Sequence, residues 1–498
     1  MLTQHQPPRL NRMKTAQTLL AVLGALLTTL TLASPTAQAQ ENRYEQLAHD
    51  LHAPGLAVVE FDANGITGEH YVGVDGNNNP ITADSLFIWG SVSKSFTGAL
   101  ALELADKGLI DLNAPVTRYY PEFQGTAFGN NGATITDLIH HTSGLPREVD
   151  VYPAELPKII DAVRKLEAVN TTDGSSYSNV GYILLQHAME RATGQSYSEL
   201  LTHYLNPVTG ISPISSKKEA LERLVPDGYV PFYAGKRTVT VPYDDSETGK
   251  GRLTGTGREL ATYGAWQLRQ HQQGQLPSNF SKAPIGKGSS EYGAGLRYRK
   301  GTSSTDGSEV TIVAHAGNIW GYTTYLVFNQ TTGKGLAVLL NTYGLRDREN
   351  TNITNRLEKF TGEALGIEAS TNLPTNVPKG DIIIWTQVAL IVILLIAITL
   401  TLSTWVRRPA PSRTQRRTII TIASALILGL GTTIAIMIGI PTVIGFPWNM
   451  IYLSTPDATL NFWALAAETT ILALIISARQ LAWRRDTIGR ASVTSESL

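Results

Sequence analysis

Ser91 and Lys94 stand three residues apart in the stretch Phe87-Ile-Trp-Gly-Ser-Val-Ser-Lys-Ser-Phe-Thr-Gly98. At the start of a helix that spacing puts both side chains on one face, a turn apart. A serine hydroxyl is a poor nucleophile until a neighbouring base takes its proton. A lysine can be that base only where burial or a second cation lowers its pKa. S-x-x-K by itself is a common pattern, so its weight depends on its company. Tyr177-Ser178-Asn179 stands just before a helical stretch, and His315-Ala316-Gly317 ends a strand-like run. Serine, lysine and tyrosine together can attack a carbonyl and relay the proton, with either Lys94 or Tyr177 as the base. Their titrations are coupled, because lysinium favours the phenolate and the phenolate favours lysinium.

Positioning such a set requires a framework, and the patterning predicts one. Residues 55–61 and 70–74 read as β-branched strands around a Gly/Asn turn. Residues 93–107 are rich in alanine and leucine and stop at Gly108, as a helix with a glycine cap does. Residues 134–141 read as a short helix closed by Ser143-Gly144, and 180–193 as an amphipathic helix ended by Gly194. Three runs, 311–315, 323–329 and 335–341, joined by glycine-containing turns, predict an antiparallel meander, and 354–365 a closing helix. The expected class is α/β: one antiparallel sheet built from both ends of the domain and flanked by helices, with a helical subdomain inserted.

In this order the three motifs resemble those of the serine β-lactamase and penicillin-binding-protein superfamily: S-x-x-K, S/Y-x-N and K-T-G. The Tyr-x-Asn form resembles the class C branch, with peptidases of the D-Ala-D-Ala carboxypeptidase B type. The strings Asp111-Leu-Asn-Ala-Pro-Val-Thr-Arg-Tyr-Tyr-Pro121, Leu138-Ile-His-His-Thr-Ser-Gly-Leu-Pro146 and Tyr292-Gly-Ala-Gly-Leu296 add to the likeness, which covers residues 45–366. The resemblance implies an acyl-enzyme on Ser91, with Lys94 and Tyr177 as the proton relay and no metal or organic cofactor. It implies that Asn179 orients Lys94 or holds the substrate amide. It places the oxyanion between the backbone N–H groups of Ser91 and Asn318, the residue after Gly317. One departure stands out: His315 occupies the place of the usual lysine. A mostly neutral histidine weakens the case for holding a substrate carboxylate, and H-x-G variants occur in esterases and aminopeptidases of this group.

The flanks carry a different signal. Residues 1–39 read as a secretory signal, with Arg9, Arg12 and Lys14 before the apolar run 19–32 and Ala37-Gln38-Ala39 as the cleavage site. Residues 40–367 form the expected exported domain, and the Pro/Asn/Thr-rich segment 368–381 a linker. The apolar runs 382–406, 418–446 and 460–478 are each long enough to span a bilayer. The connection 407–417 carries five arginines, the tail 479–498 carries Arg479, Arg484, Arg485 and Arg490, and the loop 447–459 has no lysine or arginine. The positive-inside rule then puts the large domain and the short loop outside and the arginine-rich segments inside. Signal, exported domain and three helices together resemble the periplasmic prodrug-activating peptidases of the colibactin-maturation type. That likeness implies removal of an N-acyl-D-amino-acid cap from a non-ribosomal peptide-type precursor. The expected setting is the inner or plasma membrane. The expected partners are a small or acylated peptide and the lipid bilayer, with room for a homodimer and for cooperation with an exporter. A DD-peptidase, a class C-like β-lactamase, an esterase on the same scaffold and a β-lactam sensor are the rival readings. The sensor ranks last, because the inner loop and tail leave little room for an output module.

Composition narrows the field. The 41 basic and 41 acidic residues cancel, which leaves no electrostatic footprint for nucleic acid. The absence of cysteine excludes disulfides and a thiol nucleophile. His140 and His141 are adjacent on a helix and so do not converge on a metal, which makes them structural in this reading. Glu468 falls inside the third apolar run, as either a functional carboxylate or one packed against a neighbouring helix.

Overall fold

The computed structural model describes residues 35–149, 155–167, 176–286, 288–347, 353–368, 379–407, 415–444 and 446–495. The apolar signal run, most of the linker and the centre of the basic connection lie outside the described residues. The described residues 35–47 belong to one unit, and those from Ala48 onward to a second.

The strands are β1 (Gly55–Asp62), β2 (Gly65–Gly73), β3 (Phe87–Ile88), β4 (Gly228–Phe232), β5 (Gly235–Val239), β6 (Thr254–Gly255), β7 (Ala283–Pro284), β8 (Glu291–Gly293), β9 (Leu296–Thr302), β10 (Glu309–Ile319), β11 (Tyr322–Asn329) and β12 (Lys334–Leu340). Eight form one sheet in the order β2-β1-β12-β11-β10-β9-β8-β7. The predicted meander is present as β10, β11 and β12. The two ends of the domain meet in the antiparallel register Leu56↔Leu340 to Asp62↔Lys334. Every residue of β11 is buried, as a central strand with helices over its faces requires. β3 pairs with β6, and β4 with β5, as two small ribbons outside the main sheet.

The helices used below are α1 (Pro35–Asp50), α2 (Ser93–Asp106), α3 (Ile135–His140), α4 (Asn179–Thr193), α5 (Gly257–Gln272), α6 (Ile353–Ala364), α7 (Lys379–Arg407), α8 (Gln415–Ile434), α9 (Trp448–Ser454) and α10 (Pro456–Ser495). Each has a local cause. Thr134 caps α3 through a reciprocal pair with Asp137, and Thr256 caps α5 in the same way with Glu259. Ser178 caps α4, and Gly194 ends it in the left-handed conformation. α2 is buried along nearly its whole length, including Lys94, so it forms the central post of the domain.

Three helical stretches, Lys379–Val406, Gln415–Ile444 and Pro456–Ala482, are long and apolar enough to cross a membrane. The third starts earlier than the apolar run at 460, and the loop 447–459 contains α9. Pro456 explains the early start: its fixed φ suits the first turn, and its missing N–H is not needed there.

Candidate active site

Ser91 lies in the 3-10 turn Gly90–Val92 that leads into α2. Two neighbours fix that turn. The N–H of Trp89 donates to the Leu253 carbonyl at 2.8 Å, and the N–H of Leu253 donates to Ser93 Oγ at 3.1 Å. On the other side lies the end of β10. A Cβ on Gly317 would sit 2.0 Å from the Trp89 carbonyl oxygen and 3.2 Å from the Ser91 nitrogen. A Cβ on Gly90, which has φ +52°, would sit 2.8 Å from the Asn318 nitrogen. Backbone touches backbone there, and only glycine at both positions allows it. That contact sets the backbone around Ser91 directly against the backbone around Asn318.

Lys94 Nζ lies 3.2 Å from Ser91 Oγ and donates to the Lys250 carbonyl at 2.6 Å. It also stands 5.0 Å from the Tyr177 ring centre and 5.6 Å from that of Tyr182. Complete burial holds the Lys94 pKa well below the usual lysine range, and the cations Lys250 and Arg147 push it the same way; Glu148 and Glu247 oppose them. Lys250 is tied to the buried Glu247 at 2.5 Å, and Glu247 to Arg252 at 2.9 Å. Despite burial, those two cations hold Glu247 down at about 2.

Burial pushes Tyr177 up to about 12, against a hydrogen bond with Ser91 and the charges of Arg147 and Arg297. The phenol is therefore protonated at neutral pH, whereas Lys94 is the group whose proton is suppressed. His141 braces Tyr177. It closes α3 with φ 62°, its Nδ1 accepts the Ser178 N–H at 3.0 Å, and its ring centre lies 4.4 Å from that of Tyr177 and 4.6 Å from that of Tyr292. His140 points to a different partner, the Ser281 carbonyl at 2.9 Å.

Asn179 and His315 sit less simply. Asn179 Nδ2 donates to the Glu148 carboxylate, and its backbone N–H to the Arg147 carbonyl at 2.9 Å. Among the described contacts it has no bond to Lys94, so orientation of the lysine by this side chain is not what the geometry offers. His315 is buried, with Nδ1 at 2.8 Å from the Ala316 carbonyl and Nε2 at 3.0 Å from the Tyr292 hydroxyl. Burial first, then Lys94 and Arg297, holds its pKa down at about 3. The neutral ring donates from Nδ1 and accepts the tyrosine proton at Nε2.

The sequence reading missed Lys250, Arg147, Arg297 and the bracing role of His141. Arg147 lies 5.2 Å from the Tyr177 ring centre and Arg297 5.9 Å from that of Tyr292. The one available signal was the string 138–146, whose His141 and Pro146 carbonyl both hold Ser178.

The family described as Beta-lactamase matches residues 41–359. A D-alanyl-D-alanine-carboxypeptidase/endopeptidase, AmpH of Escherichia coli (strain K12), is 28% identical over 183 residues, covering 34% of this chain and 47% of its own. The chain spans about half or less of the length of the first curated relatives it matches. The octameric penicillin-binding protein homologue from Pyrococcus abyssi superposes with a TM-score of 0.55 at 22% identity, covering 67% of this chain and 78% of that one. A class C β-lactamase from Rhodobacter sphaeroides gives 0.53 at 20% identity, covering 64% and 98%. The fold is that of the β-lactamases, and the chain belongs to the β-lactamase family, whose members are serine hydrolases.

Proposed function

We propose that this member of the β-lactamase family is a membrane-anchored, extracytoplasmic serine amidase that removes an N-acyl-D-amino-acid cap from a non-ribosomal peptide-type precursor. The observation that carries the hydrolase chemistry is Ser91 Oγ at 3.2 Å from a fully buried lysine amine. A neutral Lys94 keeps its N–H on the Lys250 carbonyl and turns its lone pair to the Ser91 proton. Ser91 Oγ then attacks the carbonyl, and the amides of Ser91 and Asn318 receive the oxyanion. Protonated Tyr177, hydrogen-bonded to Ser91, passes a proton to the departing nitrogen and is recharged by lysinium. The acyl-enzyme then falls to water by the same relay reversed. The capping-group reading is supported by the sequence architecture, by three helices able to cross a membrane and by a neutral His315 in place of the motif lysine.

A specific observation favours a second reading. Arg147 and Arg297 offer positive charge beside Tyr177 and Tyr292. They could receive the terminal carboxylate of a D-Ala-D-Ala peptide, the task His315 does not perform. The test offers the purified full chain and its Ser91→Ala variant an N-acyl-D-asparaginyl amide, its L-epimer, an acyl-D-Ala-D-Ala peptide and a chromogenic cephalosporin. Ser91-dependent release from the D-asparaginyl compound alone is the expected result. Turnover of only the D-Ala-D-Ala peptide or the cephalosporin overturns the capping-group reading and leaves the mechanism standing.

A further inference from the structure

The β4–β5 hairpin and the segment 341–347 touch both the candidate site and the outer ends of two long apolar helices. Arg346, 8% exposed, is the junction. Its Nε lies 3.1 Å from Asp381 in the first turn of α7. Its two terminal nitrogens donate to Asp457 in the first turn of α10 and to the Tyr233 carbonyl at the hairpin tip. Tyr233 returns its N–H to Asp457 at 2.8 Å and its hydroxyl to Asn461 at 2.9 Å. A buried guanidinium with its donors placed on three separate elements fixes those elements relative to one another.

The same segment runs to the site. The Tyr343 N–H donates to the Tyr229 carbonyl of β4 at 3.1 Å, and the Gly321 N–H donates to the Tyr343 carbonyl at 2.8 Å. The rings of Tyr343 and Trp320 stack at 6.1 Å and 19°. Thr323 Oγ1 donates to the Thr342 carbonyl at 2.9 Å. Trp320 and Gly321 form the two-residue turn between β10 and β11, and Asn318 pairs with Thr323 one step beyond the closing pair Ile319↔Tyr322. A Cβ on Gly228 would lie 2.2 Å from the Gly321 carbonyl oxygen, so the hairpin also presses on that turn through backbone alone.

We infer that Arg346 is a positioning residue: it ties the outer ends of α7 and α10 to the segment that clamps the β10–β11 turn, and so holds the Asn318 amide opposite Ser91. The helix ends thus do more than tether the domain; they complete one wall of the oxyanion site. The inference rests on the hydrolase reading above, in which that amide is an oxyanion donor. Its effect lies in the transition state, because a displaced amide costs more once the carbonyl oxygen carries charge.

The experiment uses the full chain in detergent, with reactive sites counted by end-point labelling with a fluorophosphonate. A chromogenic ester reports turnover per labelled site, and a boronic acid that forms a tetrahedral adduct on the serine reports affinity. Arg346→Ala is expected to lower kcat per labelled site by about 10-fold or more, below the loss of a whole donor. Boronate affinity should fall in parallel while KM stays within about twofold, as expected for an interaction made mainly in the transition state. Arg346→Lys should restore part of the rate. Asp457→Asn, a milder change for the case in which Arg346→Ala does not fold, should shift kcat and boronate affinity in the same direction. Unchanged kcat per labelled site and unchanged boronate affinity in both neutralised variants, with only a lower unfolding temperature, would overturn the inference. Absence of Ser91-dependent labelling in the unaltered chain would remove the hydrolase reading itself, and the inference with it.

Discussion

Lys94 is buried among groups that decide when it carries a proton. Lys250 and Arg147 disfavour the charge, Glu148 and Glu247 favour it, and the rings of Tyr177 and Tyr182 face the amine without neutralising it. With Lys94 as the base, kcat/KM rises with pH as its proton leaves, so the acid limb reports this lysine. His315, held down at about 3, does not titrate between pH 5 and 8 and contributes nothing to that limb. Lys250→Met removes a nearby cation but keeps the backbone carbonyl that accepts from Lys94. The Lys94 pKa then moves up, and the acid limb moves to higher pH. Rates of the variant and the parent should differ most at low pH and converge at high pH. A limb that stays in place would argue for Tyr177 as the base. Lys94→Ala should lower the labelling rate by about 10²–10⁴-fold, the usual range for a lost general base, measured with the same fluorophosphonate.

The elements that hold these residues were largely legible from patterning. The glycine stop after residue 107 and the three meander strands fell where local rules put them, because turn chemistry and alternation act over a few residues; the helix read over 134–141 is capped by Thr134 and closed by His141 rather than by Ser143-Gly144. What sequence could not show lies in long-range contacts. The carbonyl that receives Lys94 comes from a residue 156 positions away. The hairpin β4–β5 was not anticipated, and neither was the pairing of Asn179 with Glu148, since both are fixed by tertiary neighbours rather than by spacing. The apposition of the Ser91 turn and β10 is the element-scale contact on which the site depends, and Gly317→Ala tests it. The added Cβ meets the Trp89 carbonyl, which is backbone and cannot rotate away. The expected result is about 1–3 kcal/mol of destabilisation by overpacking, read by thermal unfolding. A loss of about 10²–10³ in kcat should accompany it as the two amides separate. Full activity in this variant would show that the Asn318 side of the site is not used.

At the scale of the whole molecule, the starts of α7 and α10 both meet the catalytic domain through Arg346, so the domain sits at one end of the helical bundle. α7 ends at Arg407, away from that end, and the run 415–444 leads back toward it. The positive-inside expectation, which comes from charge alone, puts the domain on one face of a membrane and the arginine-rich segments on the other. The chain has no cysteine, so single introduced cysteines report the arrangement without background. Ser308→Cys lies in an exposed turn of the catalytic domain, and Ser412→Cys lies in the basic connection. In intact spheroplasts, a membrane-impermeant maleimide should label the first and spare the second until detergent is added. The reverse pattern would place the domain in the cytoplasm and end the extracytoplasmic reading, whatever the chemistry at Ser91. Equal labelling of both before detergent would mean that the apolar helices do not cross the bilayer. In that case the Arg346 junction would join the catalytic domain to helices lying along the membrane surface.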